Sequence, residues 1–158
     1  MTQLKRHSPD STELPAILTL IRDSFAYMDN IIDPPSSVHK MTLDNLRQTA
    51  KTEEVWSLGS PPVGCMILTP KTDILYIGKL AVCASQRGQG LSRQLIEHAS
   101  KRAEALGLEC LELCVRIELT SNHRTFENLG FVEFNRDCHP GFVKHTQITY
   151  RRVVSSHS

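Results

Sequence analysis

Residues 74–96 confine the fold more than any other stretch of this chain. An apolar run, Ile74–Val82, passes through Cys83-Ala84-Ser85 into Gln86-Arg87-Gly88-Gln89-Gly90, and a helical pattern follows at once. The run is nine residues long and broken only by Lys79, a length and composition that predict a mostly buried central strand. After the glycines, Leu91, Leu95, Ile96, Ala99, Ala103 and Leu106 recur at helical spacing until Gly107, a good C-terminal stop. A buried strand feeding a long amphipathic helix through two glycines is a unit of a layered α/β structure.

The loop in that unit has the chemistry of an anion cradle. Glycines let backbone amides approach a ligand without Cβ interference. The first turn of the following helix leaves several N–H groups unpaired, and its dipole favours negative charge. Arg87 can add a charge-assisted contact. Two familiar phosphate loops are excluded. A P-loop needs Lys and Ser/Thr after its last glycine, and here Leu91-Ser92 follows Gly90. A dinucleotide fingerprint needs a further glycine after Gly90, and position 93 is Arg. Read alone, the loop also admits a second reading, a tight strand-to-helix turn without a ligand.

The rest of the chain supplies the other elements. Gln3–His7 predicts a short first strand. Ser11 is the expected N-cap of a helix bearing Leu14, Ile17, Leu18, Ile21 and Phe25, broken by Asp33-Pro34-Pro35-Ser36-Ser37. A second helix is expected from about Ser37 to Lys51, with Val38, Met41 and Leu46 as a thin apolar stripe. Val55–Leu58 and Val63–Leu68 flank Gly59-Ser60-Pro61-Pro62 as a hairpin, and Pro70-Lys71-Thr72-Asp73 turns into the central strand. Leu111, Leu113, Val115, Ile117 and Leu119 alternate with Glu112, Cys114, Arg116 and Glu118, a strand with two unlike faces. A short helix from about Asn122 to Leu129 and strands at 131–134 and 148–154 close the order. The result is a mixed α/β (α+β) sheet, antiparallel early and crossed over by a helix later, within one domain spanning 1–158.

Composition narrows the function classes. The chain has 158 residues, 40% hydrophobic and 22% charged, with a formal net charge of +1. That balance is globular, and neither the charge nor any basic run supports nucleic-acid binding. No apolar stretch approaches membrane-spanning length, so no membrane partner is expected. Residues 1–15 lack the positive-then-apolar pattern of a signal peptide. The odd set of Cys65, Cys83, Cys110, Cys114 and Cys138, mostly in apolar runs, reads as buried free thiols in a reducing compartment, the cytoplasm.

Leu80-Ala81-Val82, the short spacer, Arg87-Gly88-Gln89-Gly90-Leu91 and Leu95-Ile96 resemble the acetyl-CoA-binding segment of the GNAT family of N-acetyltransferases. Asn122 and Phe126-Glu127-Asn128-Leu129-Gly130-Phe131 resemble the helix of that family that ends in Gly-Phe. The resemblance implies a mostly antiparallel central sheet flanked by helices and splayed between its two central strands, with CoA in the gap. It implies that Leu80, Ala81 and Val82 pair with the pantetheine arm and that Arg87, Gly88, Gln89, Gly90, Leu91 and Ser92 hold the pyrophosphate. Asn122 and Phe126 are further expected cofactor contacts. The reaction implied is direct attack of an amine on the thioester, with backbone N–H groups near Val82 polarising the carbonyl and a base or water relay taking the proton. The implied partners are acetyl-CoA and an amine acceptor, and a homodimer is one admissible assembly.

The chain departs from the family pattern at three positions. Ser92 stands where Gly or Ala is usual. Lys79 stands where a carboxylate often precedes the Leu-Ala-Val segment. Phe126 aligns with the tyrosine that often protonates the CoA thiolate, and Asn122 lies only four residues before it. Acid–base candidates are therefore sought on the polar strand face, where Glu118 or Glu112 can orient an amine or relay its proton through water. The same face also reads as a solvated surface with an Arg116 ion pair. His123 can titrate near neutrality, or simply start a helix. Cys110, Cys114, Cys138, His139 and His145 match no closed zinc spacing, so no metal is expected. His139-Pro140-Gly141-Phe142 is expected in the acceptor pocket wall, and Tyr27 and Trp56 in the core or at its rim. The activity expected is acetyl transfer from acetyl-CoA to a primary amine; the alternative is a non-catalytic acyl-CoA-binding regulatory module.

Overall fold

The computed structural model describes residues 3–26, 31–34 and 37–154. The elements are β1 (Leu4–His7), α1 (Leu14–Ala26), α2 (Leu43–Thr52), β2 (Glu54–Leu58), β3 (Gly64–Pro70), β4 (Ile74–Val82), α3 (Leu91–Ala105), β5 (Cys110–Arg116), α4 (Thr120–Asn128), β6 (Val132–Asp137) and β7 (Gln147–Val153). Short 3-10 turns lie at Ser37–Lys40 and Ala84–Gln86. The strands form one sheet in the order β1-β2-β3-β4-β5-β7-β6. Only β4 and β5 run parallel. That pair is joined by the crossover helix α3, as a parallel pair requires.

Each face of the sheet carries its own apolar layer. On one face Leu75 and Ile77 of β4 and Leu111 and Leu113 of β5 pack with Leu95, Ile96, Ala99 and Ala103 of α3. On the other, Val55, Cys65, Ile67 and Ala81 pack with Leu14, Ile17, Leu18 and Ile21 of α1 and Leu46 and Ala50 of α2. The 3.6-residue period of α3 and the two-residue period of the strands place these side chains. Leu95 is fully buried, and truncating such a leucine to alanine costs about 2–5 kcal/mol.

Several expected boundaries shift for local reasons. Ser11 does not cap α1. Its Oγ accepts from Glu13 N at 3.2 Å and meets His7 Nδ1 at 2.8 Å, organising the turn before the helix. His7 is buried and reaches Ser57 Oγ through Nε2 at 2.6 Å, so β1, the turn and β2 share one polar knot. The helix expected from Ser37 to Lys51 is a 3-10 turn followed by α2. Thr42 starts α2 with a reciprocal capping box, Asn45 N to Thr42 Oγ1 and Thr42 N to Asn45 Oδ1, both 3.1 Å. The alternating strand expected to reach Leu119 ends at Arg116. Leu119 N then turns back onto Arg116 O at 3.1 Å, and α4 starts at Thr120, two residues earlier than expected.

The five cysteines are all free, but only Cys65 is buried; Cys138 is exposed and the others are half-buried, so the expectation of mostly buried thiols is corrected. Burial pushes the Cys65 thiol up to about 12. Among the described residues, no helix is long and apolar enough to cross a membrane.

Candidate active site

The site begins where the sheet comes apart. The strands β4 and β5 pair only at Ile74–Cys110, Leu75–Leu111 and Tyr76–Glu112, although β4 runs on to Val82 and β5 to Arg116. Beyond Tyr76 the edge of β4 facing β5 has no strand partner among the described residues. On the β3 side, Cys65 pairs with Ala81 but Ile67 with Gly78, two steps in β3 against three in β4. The extra residue makes a bulge around Lys79, whose φ is +50°. A lysine in that left-handed region costs about 1 kcal/mol or more, and a bulge re-aims the side chains that follow it.

Two cavities open at this fork. The larger, about 800 Å³, is bounded by Leu80, Ala81 and Val82, by Arg87, Gly88, Gly90, Leu91 and Ser92 of the loop, and by Asn122 and Phe126 of α4. Every expected cofactor contact except Gln89 lines it. Sequence reasoning missed Ser24 and Phe25 of α1, together with Arg93 and Thr125, which line it as well. Those residues carry no motif, and only the packing of α1 across β4 brings the first two there.

The loop geometry explains its glycines. Gly88 has φ +82° and Gly90 has φ +77°, conformations that favour glycine. A Cβ at either position would meet nothing within 4 Å, so the dihedral angle, rather than crowding within the protein, selects glycine there. Gly90 is the N-cap of α3 and offers no capping side chain, and the first turn carries no acidic residue. Gly90, Leu91, Ser92 and Arg93 of that turn line the larger cavity, at the positive end of the helix dipole.

The second cavity, about 600 Å³, has a floor from Tyr76–Leu80 and Leu113–Arg116, with Thr49 of α2 and His139 among its walls. Phe25, Leu80, Asn122 and Phe126 line both cavities and mark where they meet. Phe126 is half-buried and sets its ring edge-on to Phe131, with centroids 5.9 Å apart. Burial lowers the Lys79 ammonium below its ordinary pKa. Burial first, then the neighbouring Cys114 and Glu112, raise Tyr76, which stays protonated at neutral pH.

The two candidate carboxylates are not among the residues that line the two cavities. Glu112 accepts from Arg151 Nε at 2.9 Å, so its ion pair is with β7. Glu118 stands past the end of β5; its Oε2 accepts from Asp33 N at 3.1 Å, while its Oε1 is buried with no hydrogen-bond partner. Cys114 and Arg116 of the same strand face do line the second cavity. Arg116 Nη1 donates to Pro34 O at 2.6 Å. His123 is half-buried, not exposed, and its Nε2 donates to Arg116 O at 2.8 Å, closing the end of β5. His139 N donates to Thr146 Oγ1 at 2.9 Å, which fixes the residue in the second cavity's wall. Trp56 is half-buried, with Nε1 on Glu54 Oε1 at 2.9 Å; Tyr27 lies outside the described residues. Among the described residues, no three His, Cys, Asp or Glu side chains group to hold a metal ion.

The mixed sheet is thus forked between its parallel pair, with a glycine-turned helix N-terminus at the open end. The profile of the acetyltransferase (GNAT) family matches residues 15–131, and the chain belongs to that family. N-alpha-acetyltransferase 30 of Saccharomyces cerevisiae is 28% identical over 85 residues, 49% of this chain and 48% of the relative. The chain thus matches about half the length of that curated relative.

Among solved structures, the PaiA N-acetyltransferase of Thermoplasma acidophilum in complex with coenzyme A superposes with a TM-score of 0.81 at 11% identity, covering 97% of this chain and 99% of the other. The ribosomal-protein-S18-alanine N-acetyltransferase of Escherichia coli gives 0.71 at 21% identity, covering 100% and 97%. At such identities these likenesses show the fold.

Proposed function

We propose that this chain is an N-acetyltransferase, one domain working in the cytoplasm, that moves the acetyl group of acetyl-CoA to a primary amine by direct attack in a ternary complex. The observation that carries this reading is the meeting of the two cavities at Phe25, Leu80, Asn122 and Phe126. One cavity has an anion-binding helix N-terminus for the pyrophosphate, and the other is an opening of its own for the amine. Leu80, Ala81 and Val82 offer the free edge of β4 to the pantetheine arm, and Arg87, Gly88, Gln89, Gly90, Leu91 and Ser92 take the pyrophosphate. Asn122 and Phe126 flank the thioester end.

In the proposed step the free amine attacks the thioester carbonyl carbon, the C–N bond forms, and the C–S bond breaks to release CoA thiolate. Backbone N–H groups near Val82 stabilise the developing oxyanion. Glu118, two residues past Arg116 of the second cavity's floor, is the first candidate to take the amine proton through water. Glu112, tied to Arg151, is the second candidate for that role.

A second reading, a non-catalytic acyl-CoA-binding regulatory module, is favoured by Phe126 and Lys79, which stand where family members often carry an acid and a base. Rates with acetyl-CoA and an amine panel separate the two. The names of the yeast and Escherichia coli relatives put a peptide with a free N-terminal amine first in that panel, followed by spermidine and L-lysine. Release of CoA matched by an acetylated amine supports the enzyme. Acetyl-CoA binding with no acetylated product from any amine supports the regulatory module, and no binding at all contradicts both.

A further inference from the structure

Lys79 carries a primary amine on the strand along which both cavities open. It is the residue around which β4 bulges, and it lines the second cavity, which the proposed function assigns to the acceptor. Its neighbour Leu80 lines both cavities. The Lys79 carbonyl accepts the thiol of the buried Cys65 at 3.7 Å, which holds the bulge against β3. A side chain leaving this point therefore starts from a fixed backbone beside the junction.

We propose that the protein acetylates its own Lys79. The inference rests on the reading of the two cavities as donor and acceptor sites. Lys79 Nζ, in its neutral form, attacks the thioester carbonyl carbon of bound acetyl-CoA. The N–C bond forms, the C–S bond breaks, and the proton lost from nitrogen passes to the departing thiolate, leaving Nε-acetyl-lysine and CoA. Tethering replaces an encounter with a positioned contact, an advantage that can amount to several orders of magnitude in effective concentration. The burial that disfavours the Lys79 ammonium enlarges the reactive free-amine fraction. The product has lost its charge and carries an acetyl group into the acceptor cavity, so self-acetylation slows transfer to external amines.

The experiment is incubation of the full chain with acetyl-CoA and no added amine, followed by tryptic mass mapping over time. Unmodified protein yields Thr72–Lys79 and Leu80–Arg87 as separate peptides. Acetylation at Lys79 blocks the cut and yields Thr72–Arg87 with one added acetyl group. The exposed Lys5, Lys51 and Lys101 in the same sample report uncatalysed acetylation. The expected result is modification of Lys79 about tenfold or more faster than of those three, slowed by Gly90→Asp at sub-saturating acetyl-CoA. Lys79 unmodified, or modified no faster than the exposed lysines, in a sample whose melting point rises with acetyl-CoA overturns self-acetylation and leaves the proposed function standing. No melting shift with acetyl-CoA contradicts the proposed function itself, and this inference with it.

Discussion

Tyr76 and Glu112 form the last rung of the parallel ladder between β4 and β5. Past that rung the two strands diverge, and both cavities lie along the divergence. The free edge of β4 would be costly to bury without a hydrogen-bonding partner. A cofactor arm carrying amide groups is a chemically suitable one.

The loop is tested by Gly90→Asp. Aspartate tolerates the left-handed conformation better than most residues, so the variant should fold, with a stability loss of about 1 kcal/mol. Its carboxylate would project into the larger cavity at the positive end of α3. Acetyl-CoA affinity should fall by at least about tenfold, equivalent to about 1.4 kcal/mol, and Gly90→Asn should lose less. Calorimetry on both variants checks this; equal affinity in Gly90→Asp and the parent would place the pyrophosphate elsewhere.

Much of this geometry was legible in the sequence. The order of elements, and the bounds of β4, follow from apolar period and turn residues, because those signals are local. The Arg87–Ser92 loop was legible for the same reason. The fork was not: nothing local in Ile77–Val82 says which edge of the strand lacks a partner, and its expectation came from family resemblance. Phe25 reads only as part of the apolar stripe of its helix and Ser24 carries no signal; their place at the cavity depends on the packing of α1 across β4. Glu118 looked like one more residue of an alternating strand, but Ile117 N bonds to Thr146 O and Leu119 N turns back onto Arg116, a long-range and a local contact that end β5 early.

Phe126 sits at the junction of the cavities with no proton to give. Thiols of the CoA kind have a pKa of about 8.5 and leave without a dedicated acid. Phe126→Tyr should therefore keep turnover within a few-fold of the parent, while Phe126→Ala should impair it by removing a wall of both cavities and the Phe131 contact. Steady-state rates on the acceptor that works best in the panel decide. A large gain in Phe126→Tyr would mean that the chain lacks efficient acid catalysis and would favour the regulatory reading.

Glu118→Gln separates proton relay from scaffolding. A glutamine oxygen still accepts from Asp33 N, so that contact should hold, but the amide cannot take a proton. Turnover should slow and its pH profile change, with an unaltered acetyl-CoA dissociation constant. Glu112→Gln should instead act through the lost Arg151 ion pair, as a stability change. A parent-like rate and pH profile in Glu118→Gln would remove that residue from the reaction.

Glu54 gives the fold a specific acid lability. Its carboxylate is almost fully buried between β2 and α3, where Arg102 donates through Nε at 2.9 Å and Nη2 at 2.6 Å. Burial alone would raise its pKa, but the hydrogen bonds from Arg102 and Trp56 outweigh it and hold the group below its ordinary value of 4.5. The pair's contribution is thus fully present above pH 4.5 and is lost as pH falls through the depressed folded value. Glu54→Gln should destabilise by about 3 kcal/mol at neutral pH, and the gap to the parent should narrow in acid. Denaturant titrations across pH test this; a gap independent of pH would assign the loss to packing alone.

The most direct test of the account is an amide-resolved NMR titration of the 15N-labelled protein with acetyl-CoA. The account predicts saturable shifts concentrated at Leu80–Val82 and Arg87–Ser92, with smaller changes at Thr49 and Thr69 across the second cavity. Shifts confined to other surfaces, or none at saturating acetyl-CoA, would contradict it.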